Sequence, residues 1–583
     1  MTAITVTSLS EGAEIERGDG LFHRIPGVAL ARSYRKADLV RDLIAGVVLA
    51  TMLVPQGMAY AELTGLPAHT GLYTTVAGLV AYALFGPNRV LVLGPDSSLA
   101  PVIAAIVLPL AMGDPAAAVI LASALGLMTG LVCILAGIVR IGVITELVSK
   151  PVRIGYLNGI AVVVLVSQLP KALGFSIDAD STVSSLVATV ESVIRGEVVG
   201  AALVISALTL LVIQVAAKLW PGGPGVLVAV VAAMVGVAVF DLASSVATVG
   251  ALPQGLASFV FPQVGFDELG PLAIGALAVA LVSLADTAAL STAIGVRAGT
   301  RSDPNAEAKA LGVANILAGV FQGFPTSASS SRSAVAMSVG ARTQLTGLVA
   351  AIAVTALLVW GPGLLADLPS ATLAAIVIAA SLVIFDGSAV RWLWSVRRSE
   401  FLLSVGASLG VVIFGVLEGI LIAVVLSLAN FIRRAWHPHS TELVRVHGLK
   451  GYHDRNRHPE GDRIPGLLIV RFDAPLFFAN APTFGRRLGD LMEDSSIEIE
   501  RVVVAGEAIT DVDTTGAEVL IEVLDHLHEQ GLSFAFAGLK GPVKDRLRAY
   551  GLYDRIGDAN FFPTIGAAVN THLSDREDAD GDR

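Results

Sequence analysis

Two clusters of hydroxyl residues, each introduced by a proline, stand out in an otherwise apolar sequence: Pro95-Asp96-Ser97-Ser98 and Pro325-Thr326-Ser327-Ala328-Ser329-Ser330-Ser331-Arg332. Each reads as the opening of a helix that begins inside an apolar layer. Such a start leaves backbone N–H groups without intrahelical partners and exposes the positive end of the helix dipole, so it suits an anion. Ser97, Ser98, Thr326, Ser327 and Ser329 would add neutral donors that hold an ion without locking it in place. Arg332 follows about a turn and a half into the second helix, where an unpaired cation is costly and implies a role, here positive potential for the anion. The plainer alternatives are that the hydroxyls cap helices and mediate packing, and that Arg332 pairs with a carboxylate or reaches the layer's edge.

Three carboxylates lie within or near the same apolar segments: Glu62, Asp96 and Asp286. Beside an anion site they would repel the substrate, unless a proton or Na⁺ binds with it and couples the two fluxes. Asp286, deep in its segment and flanked by Ser283 and Thr287, is the best placed. Asp96 is equally readable as an N-cap, and Glu62 as a group of the outer vestibule. The His residues show no metal-ligand spacing, and one cysteine, Cys133, excludes internal disulfides and argues against a Cys-based metal centre. Cofactors other than a coupling H⁺ or Na⁺ are not expected, nor is an enzymatic use of the carboxylates, which would need a defined aqueous cleft.

The elements that must position these residues follow from hydropathy. Apolar residues make up 54% and charged residues 15% of the 583, which exceeds the apolar share of soluble domains. The chain is therefore expected to sit in a lipid bilayer. About fourteen apolar windows predict helices at 39–61, 70–85, 97–111, 116–138, 144–169, 197–218, 225–241, 270–297, 305–321, 327–340, 343–360, 370–386, 400–414 and 416–432. With the N-terminus inside, the basic residues fall on inner loops: Arg89; Arg140, Lys150 and Arg153; Lys218; Arg297 and Arg301; Arg342; Arg391, Arg397 and Arg398; Arg433 and Arg434. Outer connections such as 63–70, 113–115, 242–269 and 361–369 carry no Lys or Arg. Fourteen segments with both ends cytoplasmic fit that asymmetry. The two proline clusters occupy corresponding places in two halves, about 39–241 and 270–434, and an odd number of spans per half inverts the second copy: a seven-plus-seven inverted repeat.

Outside this transport region (39–434), residues 1–38 read as a cytoplasmic segment without a cleavable signal, 435–464 as a polar linker, 465–573 as a small α/β domain and 574–583 as an acidic disordered tail. The net charge of -10 reflects acidic residues gathered toward the end, and nucleic-acid binding is not indicated.

Val54-Pro55-Gln56-Gly57-Met58-Ala59-Tyr60-Ala61, followed by Gly65-Leu66-Pro67 and Gly71-Leu72-Tyr73, resembles the first-span signature of the SulP family of sulfate-permease-like anion transporters. Gly94-Pro95, Asp303-Pro304-Asn305 and Ser329 to Ser333 are similar to later motifs of that family. The resemblance implies core and gate domains, a substrate between the third and tenth helices, and elevator-like alternating access. It implies that Gln56 and Tyr60 line the cavity, that Ser329 and Arg332 face the substrate, and that Asp286 stands where bicarbonate-transporting relatives hold Na⁺. Four residues on, those relatives offer threonine and this chain has Leu290, with Ser291 one step off, which tilts the expectation toward protons. The C-terminal domain resembles STAS domains, and Asp511-Val512-Asp513-Thr514-Thr515-Gly516 matches the loop phosphorylated in bacterial antagonists, so Thr514 is either a regulatory site or part of a helix start. The expectation is a dimeric bacterial plasma-membrane protein performing proton-coupled sulfate symport. Bicarbonate with Na⁺, a dicarboxylate with protons, and uncoupled exchange or channel conduction are the alternatives.

Overall fold

A computed structural model describes residues 26–27, 32, 34–140, 149–177, 179, 181–220, 223–298 and 302–581. Most of the expected N-terminal segment, residues 144–148 of one predicted helix and Arg301 lie outside the described residues. The chain forms two compact units, residues 1–427 and 428–583.

The first unit is helical. Its first half carries α1 (Leu39–Leu63), α2 (Ala68–Phe85), α3 (Ala100–Ala111), α4 (Pro115–Ile138), α5 (Lys150–Leu173), α6 (Thr182–Ile194), α7 (Gly200–Leu219) and α8 (Gly225–Val239). The second half carries α9 (Phe266–Ala298), α10 (Pro304–Val320), α11 (Ser330–Val339), α12 (Leu345–Trp360), α13 (Ser370–Ile384), α14 (Gly387–Val396), α15 (Arg398–Phe414) and α16 (Val416–Trp436), the last crossing into the second unit. Every predicted window contains a helix. The helices α6 and α14 were not expected, because Thr, Ser, Glu, Arg and Trp interrupt their apolar residues and a hydropathy window does not register a one-sided helix. Among the described residues, six helical stretches are long and apolar enough to cross a bilayer: 115–138, 150–173, 200–219, 266–296, 370–396 and 416–436. Lys171, in the last turn of α5, and Arg195, between α5 and α7, go against the charge pattern expected of an outer loop; Arg195 is offset by Glu191 and Glu197, each 3.6 Å away.

These helices pack in two groups. In one, α4 runs along α10 and α9, while α1 packs against α2, α11 and α12. Gly130 makes the α4–α10 crossing tight: a Cβ there would lie 2.6 Å from the Gly312 carbonyl oxygen. Cys133 is buried in the same region as a packing residue. In the other group, α5 packs on α13 and α15, and α7 on α8 and α13. The groups meet where α1 touches α8 and α13.

Beside Pro95 and Pro325, two short strands pair with each other. β1 (Leu93–Gly94) pairs antiparallel with β2 (Ser327–Ala328), Leu93 opposite Ala328 and Gly94 opposite Ser327. The Ser329 amide donates to the Val92 carbonyl at 3.1 Å, and Ser333 Oγ accepts from the Val92 amide at 3.0 Å, so the first turn of α11 is pinned to β1. Both helices consequently start later than the sequence suggested. Asp96 folds the chain into a turn over Ser97 to Leu99 before α3 begins at Ala100, and strand pairing occupies Ser327 and Ala328 before α11 begins at Ser330.

The second unit is a six-stranded sheet of order β4-β3-β5-β6-β7-β8. Its strands are β3 (Ser440–Arg445), β4 (Tyr452–Asp454), β5 (Leu467–Phe472), β6 (Arg501–Ala505), β7 (Ser533–Ala537) and β8 (Phe561–Phe562). β5 to β8 pair in parallel, while β3 is antiparallel to β4 and β5. The helices are α17 (Ala481–Glu493), α18 (Thr514–Glu529), α19 (Gly541–Ala549), α20 (Leu552–Ile556) and α21 (Ile565–Gly581). One apolar core joins Phe472, Phe484, Leu520 and Phe536; a second sets Ala568 and Val569 of α21 against Leu467, Ile469 and Val503.

Two boundaries need correction. The expected linker at 435–464 contains β3 and β4, and what disguised them is the buried Glu442, satisfied by Arg455 at 2.8 Å and Arg463 at 2.7 Å. The expected disordered tail at 574–583 is helical as far as Gly581, because Asp575 pairs with Arg501 at 3.2 Å and Arg576 with Glu500 at 3.5 Å.

Candidate functional site

A cavity of about 510 Å³ separates the two helix groups. Its polar wall comes from the first group: Gln56 and Tyr60 of α1, Asp96, Ser97 and Ser98 ahead of α3, Asp286 of α9, and Ala328 to Ser331 where β2 leads into α11. The facing wall is apolar apart from one residue. It consists of Leu157 of α5, Ile213 of α7, Val226 of α8 and Ile376, Ala379, Ala380, Val383 and Ile384 of α13, with Arg153 of α5 the exception.

The polar wall is organised by charge. Arg332, on the first turn of α11 rather than deeper in it, is 1% exposed, and its Nη2 lies 3.7 Å from Asp96 Oδ1. None of its guanidinium nitrogens has a hydrogen-bond acceptor among the described residues. A buried guanidinium with unused donors favours an anion in its vicinity. Gly94 is what lets it approach the strand crossing, since a Cβ there would stand 2.9 Å from Arg332 Nη1. The other Asp96 oxygen accepts from the Ser98 amide at 3.0 Å and from Ser98 Oγ at 2.5 Å. Ser98 Oγ also lies 3.4 Å from Asp286 Oδ2, so one hydroxyl stands between two carboxylates.

The two half-helices are unequal as anion sites. At α3, Asp96 already occupies the start, its carboxylate taking the Ser98 amide and its carbonyl the Ala100 amide. At α11, no side chain caps the first turn, and Ser330 and Ser331 are exposed in the cavity beside Ser329, whose hydroxyl lies 3.3 Å from that of Ser331. The vacant amide end is thus at α11.

Of the residues expected at the site, the structure brings together Gln56, Tyr60, Asp96, Ser97, Ser98, Asp286 and Ser329, with Arg332 behind them. Thr326 and Ser327 are corrected: both are wholly buried away from the cavity. The Thr326 amide donates to Asn315 Oδ1 at 2.8 Å, and Ser327 belongs to the strand crossing. They hold the segment that leads into α11. Glu62 does not line the cavity either; it sits on the last turn of α1, where Lys171 Nζ is 3.5 Å from its carbonyl oxygen. Arg153, Ser330 and Ser331 were missed. Ser330 and Ser331 lay in the serine run already singled out, whereas Arg153 had been assigned to a loop by the charge pattern alone.

The oxygens beside Asp286 are committed elsewhere. Ser283 Oγ donates to the Ala280 carbonyl at 3.2 Å, and Thr287 Oγ1 accepts from the Ala328 amide at 3.4 Å. Ser291 hydrogen-bonds to the buried Glu307, which also accepts from Tyr82 at 2.6 Å. In the second unit, Thr514 is exposed on the first turn of α18; Asp513 caps that helix by accepting from the Gly516 amide at 2.7 Å, and Arg546 pairs with Asp511 at 2.6 Å.

Comparison with known proteins bears on what such a cavity serves. Residues 39–407 match the model of the sulfate permease family, and residues 458–568 that of the STAS domain. A probable sulfate transporter of Mycobacterium tuberculosis is 40% identical over 545 residues, which span 93% of this chain and 97% of the relative. The chloroplastic sulfate transporter 4.1 of Arabidopsis thaliana is 29% identical over 93% of this chain and 81% of its own length. Among solved structures, the murine solute carrier 26 member A9 anion transporter in the inward-facing state superposes with a TM-score of 0.87 at 19% identity, covering 96% of this chain and 97% of that one. The transmembrane domain of the cyanobacterial bicarbonate transporter BicA superposes at 0.58 with 22% identity, over 68% of this chain and 98% of that one. The two superpositions speak to the fold, which is that of the solute carrier 26 transporters with a STAS domain. The relatives are transporters and not enzymes.

Proposed function

Since this chain belongs to the sulfate permease family and carries a STAS domain, we propose that it is a secondary active transporter whose main reaction is proton-coupled sulfate symport. The observation that carries this reading is the buried Arg332, without a hydrogen-bond acceptor, behind a cavity enclosed by two separately packed helix groups. An anion held against the first turn of α11 would be met by free amides, by the Ser329 to Ser331 hydroxyls and by the potential of Arg332.

Coupling is assigned to Asp286 and Asp96, which share Ser98. A proton on this pair removes the repulsion that two carboxylates would exert on an entering anion, so proton and anion favour each other's binding. Na⁺ wants several oxygens, and Leu290, four residues after Asp286, offers none while Ser291 is turned to the buried Glu307, which favours the proton over Na⁺-coupled bicarbonate transport. Movement of one helix group against the other, elevator-like, would expose the cavity alternately to the two sides, and the antiparallel crossing of β1 and β2 fits fourteen segments in two inverted halves. Within the same reading the protein is a homodimer of the bacterial plasma membrane with cytoplasmic termini. Thr514 serves as a phosphorylation site, where a phosphate would meet the N-terminus of α18 and Arg546.

The test is uptake of labelled sulfate, bicarbonate and succinate into proteoliposomes under imposed pH or Na⁺ gradients. Sulfate accumulation driven by an inward proton gradient is expected, with Asp286→Asn abolishing the pH dependence and Arg332→Ala abolishing uptake. Uptake indifferent to both gradients would support uncoupled exchange or a channel instead.

A further inference from the structure

A second cavity, of about 650 Å³, adjoins the first and shares Arg153, Leu157, Val383 and Ile384 with it. Its other charged groups are Lys150, at the start of α5, and Asp386, ahead of α14. Both are occupied. Asp386 caps α14, accepting from Ser388 Oγ at 2.7 Å and from the Ala389 amide at 2.8 Å, and Lys150 Nζ lies over the Trp392 ring, 5.1 Å from its centroid. The Arg153 side chain has neither a hydrogen bond nor an ion pair among the described residues, and it lines the same central cavity as Asp286. Among the described residues it is the one ionisable group on the apolar wall, and it lines both cavities.

We propose that Arg153 is the charge-selecting contact of this transporter: it meets the anion in the second cavity and accompanies it into the central one, favouring a dianion over a monoanion. In the central cavity Arg332 and Asp96 offset each other, leaving Asp286 and Arg153 to set the balance. With a proton on Asp286 the chamber holds one net positive charge, contributed by Arg153. A doubly charged substrate gains about twice as much from that charge as a singly charged one does, because Coulomb energy scales with the product of the charges. Removing the charge therefore penalises sulfate about twice as much, in free energy, as nitrate. The apolar residues around Arg153 limit screening, so the preference persists at physiological salt.

This inference rests on the transport reading, and the experiment separates the two. The full-length protein and its Arg153→Gln and Arg153→Lys variants are reconstituted for sulfate uptake. In detergent, each is titrated with sulfate and with nitrate while its melting temperature is followed. The expected result for Arg153→Gln is a sulfate KM raised about tenfold with kcat changed less than about threefold, a smaller sulfate-induced melting shift, and a nitrate shift reduced about half as much in free energy. Arg153→Lys should recover most of the sulfate response. An unchanged sulfate KM and melting shift in Arg153→Gln overturns the proposal, as does an equal loss for both anions that lysine does not restore, which would mark a structural role. Should Arg153→Gln fail to fold, Arg153→Met takes its place on the same readout: a sulfate KM raised about tenfold at nearly constant kcat upholds the proposal, and no change overturns it. Arg153-dependent sulfate binding without uptake would refute the transport reading and uphold this one, whereas uptake with an unaltered KM would do the reverse.

Discussion

The ion pair of Arg332 and Asp96 predicts an asymmetry between its two partners. Arg332 is 1% exposed and, among the described residues, has no hydrogen-bond acceptor, only an ion pair with the carboxylate 3.7 Å away, whereas the Asp96 side chain is 15% exposed and holds the Ser98 amide and hydroxyl. Removing one partner of a buried pair costs roughly 3–5 kcal/mol, because the other charge is left uncompensated. Asp96→Asn should approach that range, since it strands the guanidinium in the interior. Arg332→Gln should cost only about 1–2 kcal/mol, because Asp96 keeps two donors and some contact with the cavity. The double variant should recover most of the loss. Melting temperatures of the purified full-length protein provide the assay, with sulfate as a further arm. A sulfate ion can replace the missing carboxylate, so sulfate should stabilise Asp96→Asn more than the native protein and Arg332→Gln not at all. An order in which Arg332→Gln is the more destabilising, or equal sulfate responses in the two single variants, would refute the reasoning.

Three further outcomes are expected. Ser98→Ala removes the hydroxyl between Asp96 and Asp286, and proteoliposome uptake should keep its sulfate preference while its acceleration by acid weakens. Gly94→Ala places a methyl 2.9 Å from Arg332 Nη1, so sulfate KM should rise about tenfold or more while the protein still inserts, as membrane fractionation would report. In the second unit, burial pushes the Asp454 carboxyl up, but hydrogen bonds from Thr441, His439 and the Asn456 amide outweigh it and hold it below the ordinary carboxylate range. A carboxyl depressed in this way stabilises the fold at neutral pH, and the contribution disappears as pH falls through the folded value. Asp454→Asn should therefore melt lower than the native protein at pH 7, with the gap closing below about pH 4 in pH-dependent melting curves.

Much of the helical framework was legible because hydropathy is a local property: a run of apolar residues near 20 long announces itself wherever it packs. The amphipathic α6 and α14 escaped that reading, and β3 escaped because Glu442 makes a buried strand look like a polar linker. Helix starts were misjudged for a related reason. Pro95 and Pro325 signalled a break, but nothing local revealed that residues 93–94 and 327–328, some 230 positions apart, would pair and consume the expected first turns.

From the sequence by itself came the membrane class, the two hydroxyl-rich interruptions, the presence of one arginine beside them, the acidic group on α9 and the α/β domain at the end. All of these depend on residue type and short spacing. Only the tertiary structure decided which hydroxyls meet the cavity, and it turned Thr326 and Ser327 into supports while bringing Ser330 and Ser331 forward. It also decided that the Asp96 carboxylate takes the Ser98 amide ahead of the first half-helix and that Arg153, on a helix of the other group, faces the cavity. The physical reason is that a binding cavity is a relation between surfaces of separately folded helices. Its charge balance depends on which side chains converge through space, and that is set by packing between segments far apart in the chain.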